Sequence, residues 1–330
     1  MMLRFRLVFL TSICATAGLA AALPTTASAQ TEGFALNRFD PSERGSEWFA
    51  LESLQFDGDS KWAFGLVGDW SYKPLVLYEA GDEQAALVEH QLFAHLGGSV
   101  IFEDFVRLSV SLPLALVVEG EDVTVDGTPF GIETGAAFGD LRLGVDARFV
   151  GQNRDPLRIG AGLGLHVPTG SRDAFTSDGS TRIVPRLMLA GDAGQLAYSA
   201  KLGVDVRTQG DDFAGEPFGS ELQFAAALGA RLLDDKLLLG PELYGATGVS
   251  EEDAVFARRT TPVEVVLGGH YQLSDEWRAG AGAGPGLSRG LGTPALRVLA
   301  SLEWSQVAEK PLAPKDADGD GIIDVEDACP

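Results

Sequence analysis

Apolar and polar residues alternate one by one along most of the chain. In residues 139–150, GDLRLGVDARFV, Leu141, Leu143, Val145, Ala147 and Phe149 share one face, while Asp140, Arg142, Gly144, Asp146 and Arg148 share the other. Residues 157–167, 196–207 and 221–232 repeat the pattern. A period of two is that of a β-strand with chemically different faces. These segments run about 10–13 residues, roughly twice the usual ~5–6 of soluble sheets. That length matches the ~9–11 residues with which a tilted strand crosses a bilayer.

Connections alternate as well. QNRD (152–155), DAG (192–194), DDK (234–236) and SDE (274–276) are short; residues 119–138, 168–181, 208–220 and 248–260 are long and polar. Short turns at one rim and long loops at the other predict an all-β, antiparallel transmembrane barrel with its short turns periplasmic. Strands are expected at 33–40, 46–56, 61–70, 84–97, 104–118, 139–150, 156–167, 182–191, 195–207, 219–233, 236–247, 261–272, 276–287 and 294–304. That makes about fourteen. The first segment, FALNRFDP, is the weakest; without it and one neighbour the barrel has twelve. Trp48, Trp62, Trp70, Trp277 and Trp304 fall near strand ends, where interfacial girdles form.

The N-terminus reads as a secretory signal over residues 1–29: Arg4 and Arg6, an apolar run, then Ala27, Ser28 and Ala29. Its loss moves the formal charge from −22 to −24, which argues against nucleic-acid binding. The barrel is then expected over 30–304, with outer-membrane lipids as its surroundings. The final strand ends on Trp304, resembling the signal that barrel-assembly machinery recognises. The expected inner wall carries Arg142, Asp146, Arg148, Arg158, Arg186, Lys201, Asp205, Arg207, Glu221, Arg231, Glu242, Glu264 and Arg297. Those charges either line a small passive pore or pair across a closed structural barrel. GAGAGPG (280–286) lies inside a period-two segment with no following helix, which excludes a dinucleotide loop. The four histidines are scattered singly, and no enzymatic constellation emerges.

Residues 305–315 read as a Pro-containing linker, and 316–330 as a separate calcium-binding unit. Asp316, Asp318, Asp320, Asp324 and Asp327 occupy loop positions 1, 3, 5, 9 and 12, with Gly321 at the turn and the carbonyl of Ile322 at position 7. This spacing wraps hard oxygens around one Ca²⁺. The pattern, ending on Cys329, resembles a thrombospondin type 3 repeat. In such repeats cysteines link successive units, so the resemblance implies a downstream partner for Cys329. Signal, barrel, linker and calcium repeat together resemble OmpA-type outer-membrane proteins. That resemblance implies the Gram-negative outer membrane, a periplasmic tail and a downstream peptidoglycan-binding domain, which this sequence lacks. HVPTG (166–170) resembles a strand-end motif of barrels linked to the transport of aromatic compounds.

Overall fold

The computed structural model describes residues 33–307, except 57, 59, 80–81, 126, 209–210, 214–215 and 252–253. In chain order the strands are β1 (Lys61–Glu79), β2 (Asp82–Phe102), β3 (Val106–Glu119), β4 (Val123–Val125), β5 (Thr128–Phe130), β6 (Ala137–Phe138), β7 (Leu141–Val150), β8 (Arg158–Val167) and β9 (Arg182–Ala193). They continue as β10 (Leu196–Arg207), β11 (Asp211–Phe213), β12 (Glu216–Phe218), β13 (Glu221–Leu232), β14 (Leu237–Gly248), β15 (Val263–Gln272), β16 (Trp277–Gly284) and β17 (Leu296–Ser305).

Twelve of these strands close an antiparallel ring. Each long strand pairs with its neighbours in sequence, and β1 joins β17 to shut the barrel. The short β6 pairs with β3 beyond the end of β7, as a thirteenth strand along the same edge. β4–β5 and β11–β12 are small hairpins in the long loops. No α-helix occurs among the described residues.

Alternation decides which side each residue faces. Leu187 and Leu267 are 63% and 61% exposed, whereas Arg297 is 0% and Asp146 0% exposed. A continuous apolar outer face around a charged inner one is the reverse of a soluble sandwich, and it is what lipid requires. Two aromatic belts bound that face. At the short-turn rim Trp62 stacks on Phe64, and Phe64 on Trp304, with ring centroids 6.0 and 6.1 Å apart. Toward the long-loop rim Trp70, Tyr72 and His90 stack at 5.2–6.1 Å. Ten residues of a strand rising ~3.3 Å each, tilted ~40°, separate the belts by about 25 Å, the height of the apolar band of such barrels.

The segments 33–40 and 46–56 are not wall strands. Residues 33–56 run through the interior, from the long-loop rim to the short-turn rim, before β1 begins. The reason is burial on both sides. Leu36, Phe39, Phe49, Leu51, Leu54 and Phe56 are buried, and so are the intervening Glu43, Arg44, Ser46 and Glu52. A wall strand must offer one face to lipid, and this segment offers none. Trp48, expected in an interfacial belt, is likewise 4% exposed inside the lumen. Losing both segments takes the count from fourteen to twelve and keeps it even. The signal region and the calcium ladder lie outside the described residues, as does the linker beyond residue 307.

Candidate functional site: a filled lumen

The inward residues of each strand meet the internal segment, called the plug below, in three tiers. At the long-loop rim Arg38 of the plug donates to both carboxylate oxygens of Glu221 at 2.9 Å. Arg207 reaches the same Glu221 at 3.1 Å and Asp178 at 3.0 Å. Arg182 bridges Asp178 and Asp205, each at 3.1 Å. Nearby, Arg297 binds Glu264 at 2.7 Å, Asp69 at 2.5 Å and the side-chain oxygen of Asn37 at 3.0 Å.

In the middle tier Glu43 lies 3.1 Å from Arg186 and 3.2 Å from Arg142. Arg142 also pairs with Asp40. Asp146 is shared by Arg186 at 2.7 Å and Arg107 at 2.6 Å, and Arg107 reaches Glu52 at 2.5 Å. Glu242 accepts the backbone N–H groups of Phe49 and Ala50, both at 2.8 Å, while Lys201 donates to the Ala50 carbonyl at 3.0 Å.

The lower tier is built in the same way. Arg231 holds Glu47 at 2.7 Å and Asp192 at 2.5 Å, and Arg158 joins Asp192 at 2.8 Å. Arg158 also donates to the Ser53 carbonyl at 3.0 Å, and Arg148 to that of Leu54 at 3.0 Å. Arg44 closes on Glu303 at 3.1 Å. The residues expected on the inner wall all turn inward, and the structure gives each a partner. Sequence reasoning missed those partners from the plug: Asp40, Glu43, Glu47 and Glu52.

The sequence carries a second signal of the filled lumen. Glycines recur on the inner face because the plug needs their space. A Cβ at Gly268 would sit 2.8 Å from the Phe49 ring, one at Gly229 2.9 Å from Trp48, and one at Gly160 3.1 Å from Leu54. The plug's bulky side chains fill the volume these glycines leave.

A gap of about 120 Å³ persists beside the plug, among Asn37, Phe39, His95, Lys201, Gln223 and Tyr244. That is less than the ~150 Å³ that holds a benzene ring. Above the lumen the long loops carry an apolar cluster in which Phe34 packs against Phe175, Phe213 and Phe218, at centroid distances of 4.3–5.9 Å. Beside it lies a cleft of about 720 Å³, lined by Leu75, Val76, Leu87, Val123, Phe130, Phe213 and Leu291, with Lys73, Arg259 and Arg289 also on its wall. Its size suits a small-molecule site.

In the same loops, burial alone would raise the Asp178 carboxyl, but Arg182 and Arg207 outweigh it and hold the group below the usual carboxylate range. Asp178 also accepts the backbone N–H of Ala35 at 2.7 Å, which ties the start of the plug to the loop cap. Among the described residues no cluster of His, Cys, Asp and Glu is placed to hold a metal ion.

Comparison with known proteins follows this geometry. The family model described as "Putative MetA-pathway of phenol degradation" matches residues 86–290. No curated protein matches the sequence. Among solved structures, the COG4313 outer membrane channel from Pseudomonas putida F1 is similar at a TM-score of 0.57 and 14% identity, over 81% of this chain and 99% of that one. That likeness shows the fold. The NanC porin aligns at a TM-score of 0.48 and 10% identity, over 73% of this chain and 98% of that one. The toluene transporter TodX of Pseudomonas putida aligns at 0.39 and 11% identity, over 85% and 99%. The family match is to the phenol-degradation family and not to the OmpA type that the sequence resembles.

Proposed function

Because the chain belongs to the family described as a putative MetA-pathway of phenol degradation, we propose that it is an outer-membrane channel for small aromatic solutes, held shut here by residues 33–56. The observation that carries this reading is that the occluding element is not part of the wall. Residues 33–56 are held inside by side-chain ion pairs and hydrogen bonds, whereas the twelve strands are bonded to one another around a closed ring. The wall stays complete when the plug moves. A barrel that only anchored would not need a charged inner face matched to a removable segment.

The direction of passage follows from the loops. Long loops face outward and short turns the periplasm, so the apolar cleft among Leu75, Phe130 and Phe213 opens at the outer surface. Solutes collect there, above the polar lumen. With the plug displaced, the inner strands carry more cations than carboxylates, because the plug supplies four carboxylates against two arginines. Phenolates and other small anions are then favoured over cations.

Phenol added to the refolded chain lacking residues 33–56, in a planar bilayer, should interrupt its ionic current. Replacing Phe130 and Phe213 by Ala should shorten the interruptions. Equal interruption by a monosaccharide, or none by phenol, overturns the aromatic reading. Beyond the barrel, the aspartate spacing of residues 316–327 suits one Ca²⁺, which would stiffen a periplasmic stalk. A second reading, a closed barrel that tethers envelope layers through that stalk, is favoured by the density of the lumen ion pairs; it predicts silence even with the plug removed.

A further inference from the structure

We propose that a recess on the outer side of the long-loop rim, walled by Arg258 and Arg289 with Phe256 and Leu287, binds the phosphate of a membrane glycolipid. Every inner-wall arginine described above has a carboxylate or carbonyl partner. Arg258 and Arg289 are the contrast: among the described residues neither makes an ion pair. They lie 31 positions apart, in a chain of net charge −22, yet both line one recess of about 560 Å³. Two unpaired guanidinium groups converging in so acidic a protein call for an anionic ligand.

The position of the recess says which kind of anion. Leu267 and Tyr271 are 61% and 40% exposed, so the odd-numbered residues of β15 face lipid, and Val263 continues that face to the top of the strand. Leu287 bonds its N–H to the Val263 carbonyl at 2.7 Å, and Ser288 Oγ accepts the Val263 N–H at 2.9 Å, which fixes the recess directly above the strand. The same loop is tied to the outer aromatic belt, where the Ala295 N–H bonds the Tyr72 carbonyl at 2.8 Å. This is the level of lipid headgroups. Phe256 and Leu287 are 70% and 56% exposed beside the arginines. Apolar side chains next to cations at this height suit a ligand that is part acyl chain and part phosphate. Arg289 is held in place over the Tyr78 ring, 4.6 Å from its centroid. A free phosphate would use the arginines and leave Phe256 and Leu287 in water.

The inference rests on the membrane-embedded barrel and not on conduction. Heat-modifiable mobility of the refolded chain reports the barrel, and binding is read separately. The test is native mass spectrometry of the refolded full chain in neutral detergent, titrated with bis-phosphorylated lipid A. The wild type should hold one lipid A, and Arg258→Gln with Arg289→Gln should weaken binding at least about tenfold while the barrel stays heat-modifiable. Phe256→Ser, which leaves both charges, should weaken it by a smaller factor. Undiminished binding by the double variant, equal binding of phosphatidylcholine, or full displacement by millimolar inorganic phosphate would each overturn the proposal.

Discussion

Replacing Glu52 by Ala should loosen the plug without opening the wall. Glu52 is 2% exposed, accepts from Arg107 at 2.5 Å, and accepts the Glu43 backbone N–H at 2.9 Å. Removing its carboxylate leaves that N–H without its acceptor and Arg107 with Asp146 as its remaining close carboxylate, at 2.6 Å. Breaking a buried pair costs ~3–5 kcal/mol. Because Asp146 stays, the lower end, about 3 kcal/mol, is the better figure. No contact between wall strands involves the Glu52 side chain, so the loss falls on the seated plug. At about 1.4 kcal/mol per factor of ten, the displaced population rises roughly a hundredfold. Glu52→Gln keeps an acceptor and loses only the charge, so its effect should be intermediate. The assay is single-channel recording in a planar bilayer, counting openings per protein per minute. An unchanged opening frequency in Glu52→Ala, with the barrel still heat-modifiable, would refute the view that these ion pairs hold the channel shut.

Other outcomes follow from the same structure. Gly268→Val should push on the Phe49 ring, which a Cβ there already approaches at 2.8 Å, at a cost of ~1–3 kcal/mol; in a variant keeping Trp48 as its sole tryptophan, acrylamide quenching should rise. The Asp178 carboxyl is held low by its arginines, so its contribution is present above its unfolded pKa of about 3.9 and fades as pH falls through the lower folded value. Hydrogen exchange at the Ala35 amide, bonded to Asp178, should therefore speed up only in strong acid, and Asp178→Asn should remove that acid dependence. Calorimetry on the full chain should detect calcium binding that disappears on Asp318→Ala plus Asp320→Ala; undiminished affinity would remove the proposed stalk site.

The barrel was legible because its rule is local. Period-two alternation over a membrane-crossing length is written within each strand, and the inward position of Arg142, Asp146 and Arg148 follows from three alternate residues of one segment. The plug obeys no local rule. FALNRFDP alternates like a strand, and nothing in those eight residues shows that both faces will be buried. Its contacts, such as Glu43 with Arg186 and Arg231 with Glu47, join positions more than a hundred residues apart. The inner glycines held the one available hint: three in a row on the inward face of β8, Gly160, Gly162 and Gly164, leave space that close packing requires something to fill. The cleft at the outer rim was less legible still, because it is assembled from β1, β2, two loops and two small hairpins.

The central claim is that residues 33–56 close an otherwise open barrel. The most direct test is the single-channel conductance of the refolded full chain beside that of the same chain lacking residues 33–56. The full chain should be nearly silent, and the chain without the plug should show steady conductance that rises with salt and prefers anions. A deleted form that folds into the same heat-modifiable barrel yet stays silent, or a full chain that conducts equally well, would contradict it.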